Sequence, residues 1–124
     1  MVIRMNYDEI KRILDMTDDA GMRLEIVMDI GARMAPVPDT ATCHEIHGCA
    51  SRVEICRDGN RFYGRADAAI VRGIVAIITA MVDGKSPQEI REMDIAGEFF
   101  SLGLQLGARR LSGVNSMIRF LQNL

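Results

Sequence analysis

The feature that most restricts the fold of this chain is its most apolar stretch, Asp67 to Val82. Small residues recur within it and would let a helix approach its neighbours closely: Ala68, Ala69, Gly73, Ala76 and Ala80. At 124 residues, 48% of them hydrophobic, the chain is long enough to bury one core without disulfides or metal. The sequence therefore predicts a single domain, residues 1–124, built around a buried central helix.

A β-hairpin is predicted immediately before this helix. Polar and apolar residues alternate from Arg52 to Cys56 and again from Arg61 to Arg65, and Asp58-Gly59 between them is a typical hairpin turn. Because an isolated hairpin is only marginally stable, we expect a third strand.

Helices are predicted on both sides of these strands. Helical periodicity or capping residues mark five further segments: Tyr7 to Met16, a helix that ends near Met34, Pro87 to Glu92, Ile95 to about Leu102, and a last helix opened by Arg110 or Ser112. Residues 35–48 contain two prolines and no periodicity, and are predicted to be a loop. The pattern indicates an α+β fold in which helices cover one face of a small antiparallel sheet of about three strands.

Composition and charge argue against several classes of function. The formal net charge of -2 and the absence of any Lys/Arg block disfavour nucleic-acid binding. Met1 to Met5 lack the apolar core of a signal peptide, and the longest apolar run, Ile74 to Val82, is too short to span a bilayer. Three cysteines cannot all pair with one another, so we expect free thiols in a cytoplasmic protein that does not bind membranes.

Cys49 is the first candidate for chemistry. It follows Gly48 at the end of the predicted polar loop, where a thiol can lie near the surface and react as a thiolate. The alternative is a buried structural cysteine. Cys56 lies within a predicted strand and is expected to be structural, whereas Cys43 lacks the CxxC spacing of a redox pair and receives no role.

Metal binding is a second possibility at the same loop. Cys43, His44, His47 and Cys49 are residue types that bind zinc or iron–sulfur clusters, although their spacing matches no known zinc template. The sequence shows no Ser/His/Asp order, no Gly-rich phosphate loop and no paired carboxylates, so a stand-alone enzyme is poorly supported.

Four blocks follow one another along residues 7–121. Gly48 to Val53 fits Gly-Cys-x-Ser-x-Val. The other three blocks resemble a pattern with one substitution each: Gly64 to Gly73 resembles Gly-x-Ser-Asp-Ala-x-Ile-Val-x-Gly, Ser86 to Ile90 resembles Thr-Pro-x-x-Ile, and Arg110 to Ile118 resembles Arg-x-x-Gly-Leu-x-x-Met. In order and spacing they resemble the SufE/CsdE family of cysteine-desulfurase partners. The resemblance implies a single SufE-like domain with a SufE/IscU-like fold.

The resemblance also implies a function and a site. In that family the motif cysteine takes sulfane sulfur from the persulfide of a pyridoxal-phosphate-dependent cysteine desulfurase, stimulates that enzyme and passes the sulfur to iron–sulfur cluster assembly. Carried over to this chain, Cys49 is the acceptor, and Asp67 and Arg110 lie near its loop. Arg110 would favour the thiolate, whereas Asp67 is either a helix cap or an ion-pair partner of Arg110.

The implied partners are a SufS/CsdA-like desulfurase and a SufBCD-like scaffold complex or another sulfur acceptor. The chain would need no cofactor of its own, since pyridoxal phosphate belongs to the desulfurase. We further expect the Cys49 loop to rest against an apolar pocket and to swing outward on docking.

Two alternatives from other classes stay open at this point. One is a zinc-binding or iron–sulfur scaffold similar to the IscU/SufU group, and the other is an interaction module with an inert Cys49. The sequence is compatible with a monomer or a homodimer. Ala50, Glu54 and Gln105 stand where that family often has other residues, and the departures at Ala50 and Gln105 bear on loop contacts and on the choice of partner.

Overall fold

A computed structural model describes residues 4–124, so residues 1–3 of the N-terminal segment considered for a signal peptide lie outside it. The described elements are α1 (Tyr7–Leu14), α2 (Ala20–Ala32), β1 (Thr42–Glu45), β2 (Val53–Asp58), β3 (Arg61–Ala66), α3 (Ala69–Val82), α4 (Pro87–Arg91), α5 (Ile95–Ser101) and α6 (Ala108–Gln122). The predicted α+β class is confirmed. None of the helices in residues 4–124 is both long and apolar enough to cross a membrane.

The three strands form one antiparallel sheet in the order β1-β2-β3. The two-residue turn of the β2–β3 hairpin is Gly59-Asn60, one residue later than the predicted Asp58-Gly59, because Asp58 pairs with Arg61; Gly59 has a positive φ of 62°. The expected third strand is β1, which lies inside the stretch that was predicted to be a loop. The prediction of a loop is wrong for residues 42–45. The sequence did not indicate this strand because none of its residues is fully buried, so it lacks an apolar alternation.

Helix α3 is the centre of the core, and nine of its residues are buried. Its small residues allow close packing, as predicted, and α2 is an additional neighbour. A Cβ at Gly73 would overlap the Val27 carbonyl oxygen on α2. On the other side, Val75 fills the space above Gly64 on β3, where a Cβ would collide with it. These two contacts hold α3 between the sheet and α2.

Two predicted helix starts need correction. Helix α3 begins after Ala68 as N-cap, and no side chain caps it, so Asp67 is not its cap. Helix α6 begins at Ala108, after Gly107 with its positive φ of 81°, and therefore earlier than Arg110 or Ser112. Its first three residues, Ala108, Arg109 and Arg110, are all exposed, which explains why no apolar periodicity marks them in the sequence.

A disulfide joins Cys43 on β1 to Cys56 on β2. The expectation of free thiols is thus wrong for these two residues, and Cys49 is the free cysteine. The two half-cystines are direct partners in the β1–β2 register, and Cys56 is fully buried. The sequence could not reveal this pairing, because it depends on a strand that the sequence pattern does not show.

Candidate functional site

Cys49 lies in the turn formed by residues 46–52, which connects β1 to β2. Gly48 has a φ of 93°, and a Cβ at this position would lie 2.5 Å from the Ser116 hydroxyl oxygen on α6. Glycine is therefore required here both for the backbone conformation and for the close approach to α6. The turn presses the Cys49 side chain against that helix.

The thiol is half-buried against α6. Its sulfur lies 3.7 Å from the carbonyl oxygen of Gly113, to which the S–H donates, and a Cβ at Gly113 would lie only 3.2 Å from the sulfur. Burial raises the pKa of the Cys49 thiol. Burial of this kind favours the neutral thiol over the thiolate in the free protein.

A small cavity of about 20 Å³ opens beside the Cys49 side chain. Its apolar wall comes from Val71 and Ile74 on α3 and Met117 on α6. This wall fits the expectation that the cysteine loop rests against an apolar pocket.

Arg109 and Arg110, both exposed, lie at the rim of this cavity. The guanidinium Nη1 of Arg110 donates to the Leu106 carbonyl oxygen at 3.4 Å. The two arginines also line a larger, open pocket of about 590 Å³ together with Ala50 and Ser51. The structure thus places Arg110 at the site, as the resemblance implied, and adds Arg109, which the family motif does not include.

Asp67 does not belong to this arrangement. It is exposed, and its backbone carbonyl accepts a hydrogen bond from Arg72 at 3.3 Å. Within residues 4–124 its carboxylate makes no ion pair with Arg110 or any other cation. Neither predicted role of Asp67 is found.

Ser51 is a site residue to which sequence reasoning gave no role. Its hydroxyl oxygen is buried and has no hydrogen-bond partner among the residues that the structure describes. The side chain lines the same small cavity as Cys49. The motif Gly-Cys-x-Ser was the only signal in the sequence, and it does not tell where the hydroxyl lies.

The candidate metal ligands are not brought together. Cys43 is in the disulfide, the ring of His44 packs 5.4 Å from that of Phe120 between centroids, and His47 lines a separate pocket with Arg119. Across residues 4–124, the one close group of three ligand types is Cys43, Glu54 and Cys56, two of which are bonded to each other. The geometry gives no support to the scaffold alternative.

Comparison with known proteins places the chain in a family. Residues 8–124 match the family described as "SufE: Fe-S metabolism associated domain". An uncharacterized SufE-like protein of Rhizobium meliloti (strain 1021) is 34% identical over 78% of this chain and 78% of its own length. The sulfur acceptor protein CsdE of Escherichia coli (strain K12) is 33% identical over 71% of this chain and 66% of its own length.

The fold also has a solved counterpart. The solution structure of a hypothetical protein from Thermus thermophilus superposes with a TM-score of 0.67 at 20% identity, covering 96% of this chain and 94% of that one. That likeness supports the fold alone, whereas the match over residues 8–124 decides the family. The chain belongs to the SufE family of iron–sulfur metabolism.

Proposed function

We propose that this protein is a sulfur acceptor: Cys49 takes sulfane sulfur from the persulfide of a pyridoxal-phosphate-dependent cysteine desulfurase. Membership of the SufE family and the likeness to the sulfur acceptor CsdE support this role. The observation that carries it is the free thiol of Cys49, half-buried on a turn, with a small apolar cavity beside it and two arginines at the rim.

The transfer step is a thiol–disulfide-type exchange. The Cys49 thiolate attacks the outer sulfur of the desulfurase persulfide, and a new S–S bond forms between them. The S–S bond of the donor breaks, and the desulfurase thiolate leaves with the electron pair. No net oxidation occurs, and Cys49 becomes a persulfide.

Docking must supply the thiolate, because burial keeps the Cys49 thiol protonated in the free protein. When the turn moves outward, the S–H leaves the Gly113 carbonyl and reaches a polar environment, where its pKa falls. The proton then passes to a base of the partner or to water. Arg109 and Arg110 add positive charge near the Cys49 thiolate as it attacks the protonated donor persulfide.

Once loaded, the turn returns to its resting position and the sulfur is covered by the cavity wall. Water and small thiols then have little access to the persulfide. A second docking event opens the turn again and delivers the sulfur to an acceptor in iron–sulfur cluster assembly. In this scheme the protein stimulates the desulfurase by removing its persulfide sulfur.

The test is intact-mass spectrometry after incubation with a cysteine desulfurase, pyridoxal phosphate and cysteine. The native chain should gain one sulfur atom, and Cys49→Ser should gain none. A variant with both Cys43→Ser and Cys56→Ser is the matched control and should still gain sulfur. Absence of a gain in the native chain, or a gain that persists in Cys49→Ser, would overturn the proposal.

A further inference from the structure

The hydroxyl of Ser51 is a buried polar group without a partner in the described residues. A buried hydroxyl without a hydrogen bond costs free energy, so such a group needs an explanation. Ser51 lies two residues after the reactive cysteine and lines the same small cavity. Its place suggests that the missing partner is something that enters the cavity.

We propose that Ser51 donates a hydrogen bond to the outer sulfur of the Cys49 persulfide and holds it in this cavity. The proposal rests on the function proposed above, because it concerns the loaded state of the protein. It assigns to Ser51 a direct contact with the transferred sulfur atom. Ser51 would then affect how long the persulfide is retained and not whether Cys49 captures the sulfur.

The size of the cavity fits one added atom. Its volume of about 20 Å³ compares with roughly 10–15 Å³ needed to hold one water-sized group. Persulfidation extends the Cys49 side chain by a single S–S bond of about 2 Å. A sulfur atom bonded to Cys49 therefore reaches into this space without displacing the wall.

The chemistry of the wall selects Ser51 as the donor. Val71, Ile74 and Met117 cannot donate a hydrogen bond, and both rim arginines are exposed to solvent. A persulfide at neutral pH carries negative charge on its outer sulfur. A hydrogen bond to a charged acceptor is stronger than one between neutral groups, and more so away from water.

The unmodified thiol does not use Ser51. The Cys49 S–H donates to the Gly113 carbonyl, and the Ser51 hydroxyl has no contact with the sulfur that qualifies as a hydrogen bond. Removing the hydroxyl should therefore change the persulfide and leave the thiol alone. This difference distinguishes a direct contact from a general structural role.

The experiment compares the native chain with Ser51→Ala, Ser51→Thr and Ser101→Ala. The threonine variant keeps a hydroxyl, and Ser101 on the exposed side of α5 is a matched control remote from the cavity. Each protein is loaded with inorganic polysulfide, freed of excess reagent and followed by intact mass in the presence of a small thiol. The alkylation rate of the unloaded Cys49 by iodoacetamide is measured in parallel.

The persulfide of Ser51→Ala should be lost about tenfold faster, the difference expected for one hydrogen bond to a charged group. Ser51→Thr should retain most of the lifetime, and Ser101→Ala should match the native chain. Alkylation of the unloaded thiol should be equal in all four proteins.

Equal persulfide lifetimes in the native chain and Ser51→Ala would overturn the inference while leaving the proposed function intact. Faster alkylation of the unloaded thiol in Ser51→Ala would also overturn it, since Ser51 would then act on the fold of the turn. If polysulfide loads Cys49 but the desulfurase does not, the proposed function fails and the lifetimes still decide the role of Ser51.

Discussion

Replacement of Gly113 by alanine tests how closely the Cys49 thiol packs against α6. The substitution should favour the helix and disfavour the present position of the sulfur. Gly113 is in the interior of α6, where alanine is more favourable than glycine by about 0.8–1.0 kcal/mol. The new Cβ would lie 3.2 Å from the Cys49 sulfur, whereas the Cα and Cβ of Cys49 are at an ordinary 3.6 Å. The sulfur must therefore move, and the backbone can stay.

The contact is too short by a few tenths of an ångström, so the sulfur must shift by that much and lose part of its packing on α6; complete loss of its burial would cost at most about 1 kcal/mol. The two effects oppose each other, so Gly113→Ala alone should raise the free energy of unfolding by less than helix propensity predicts. In a Cys49→Ala background the steric conflict is absent, and the same substitution should stabilise the protein by about 1 kcal/mol. The coupling between the two sites should therefore exceed the roughly 0.5 kcal/mol scatter of independent sites and reach at most about 1 kcal/mol.

Urea unfolding of the four proteins of this double-mutant cycle measures the coupling. Iodoacetamide alkylation of Gly113→Ala across pH gives a second readout. Because burial is what raises the pKa of Cys49, exposure should lower it, and alkylation near neutral pH should become faster. Additive effects on stability together with an unchanged alkylation profile would refute the view that Gly113 determines how the Cys49 thiol packs on α6.

Three further predictions follow from the fold. Gly73→Ala should lower the free energy of unfolding by about 1–3 kcal/mol in urea titrations, because its Cβ overlaps the backbone of α2; an unchanged midpoint would argue against the close packing. A Cys43→Ser, Cys56→Ser variant should lose about 3 kcal/mol, since the bridge closes a loop with a separation of 13 residues, and reductant should destabilise the native chain but not the variant. The pKa of Glu98 is lowered by hydrogen bonds from Lys11, the larger effect, and from Tyr7. The carboxylate therefore stays ionised, and continues to stabilise the fold, until the pH falls through that lowered value. Tyr7→Phe should raise the Glu98 titration midpoint observed by NMR, and identical midpoints would contradict the assigned hydrogen bond.

The parts of the fold that the sequence predicted are those with strong local patterns. The hairpin is indicated by alternation around Asp58-Gly59, and α3 by a long apolar run with small residues. Strand β1 has four residues and no fully buried side chain, so its pairing depends on β2 and not on its own sequence. The disulfide was missed for the same reason, because it exists only in that register.

The site was predicted unevenly. Cys49 was found from its position after Gly48 at the end of a polar stretch, and Arg110 through a family motif; the structure brings both to one small cavity. Asp67 belongs to an equally clear motif, yet its carboxylate makes no ion pair within residues 4–124. A motif indicates that a residue type is required, but only the structure tells which neighbour it meets. Ser51 is the opposite case, because its motif suggested no role to sequence reasoning. Its role was inferred only from the structure, where its buried hydroxyl has no hydrogen-bond partner among the described residues.

The outward movement that we propose for the Cys49 turn must be small, because the turn is fixed at both ends. The Ile46 amide donates to the Val53 carbonyl at 2.9 Å, and the Cys43–Cys56 disulfide joins the two strands just beyond it. Rearrangement is therefore confined to the residues between Ile46 and Val53. The thiol is only half-buried, and its one hydrogen bond within residues 4–124 is a long contact from sulfur. Outward movement of the turn therefore breaks few interactions. Under the proposed function, contacts with the docked desulfurase would supply that free energy, and the thiol would stay neutral and covered until docking creates the need for a thiolate.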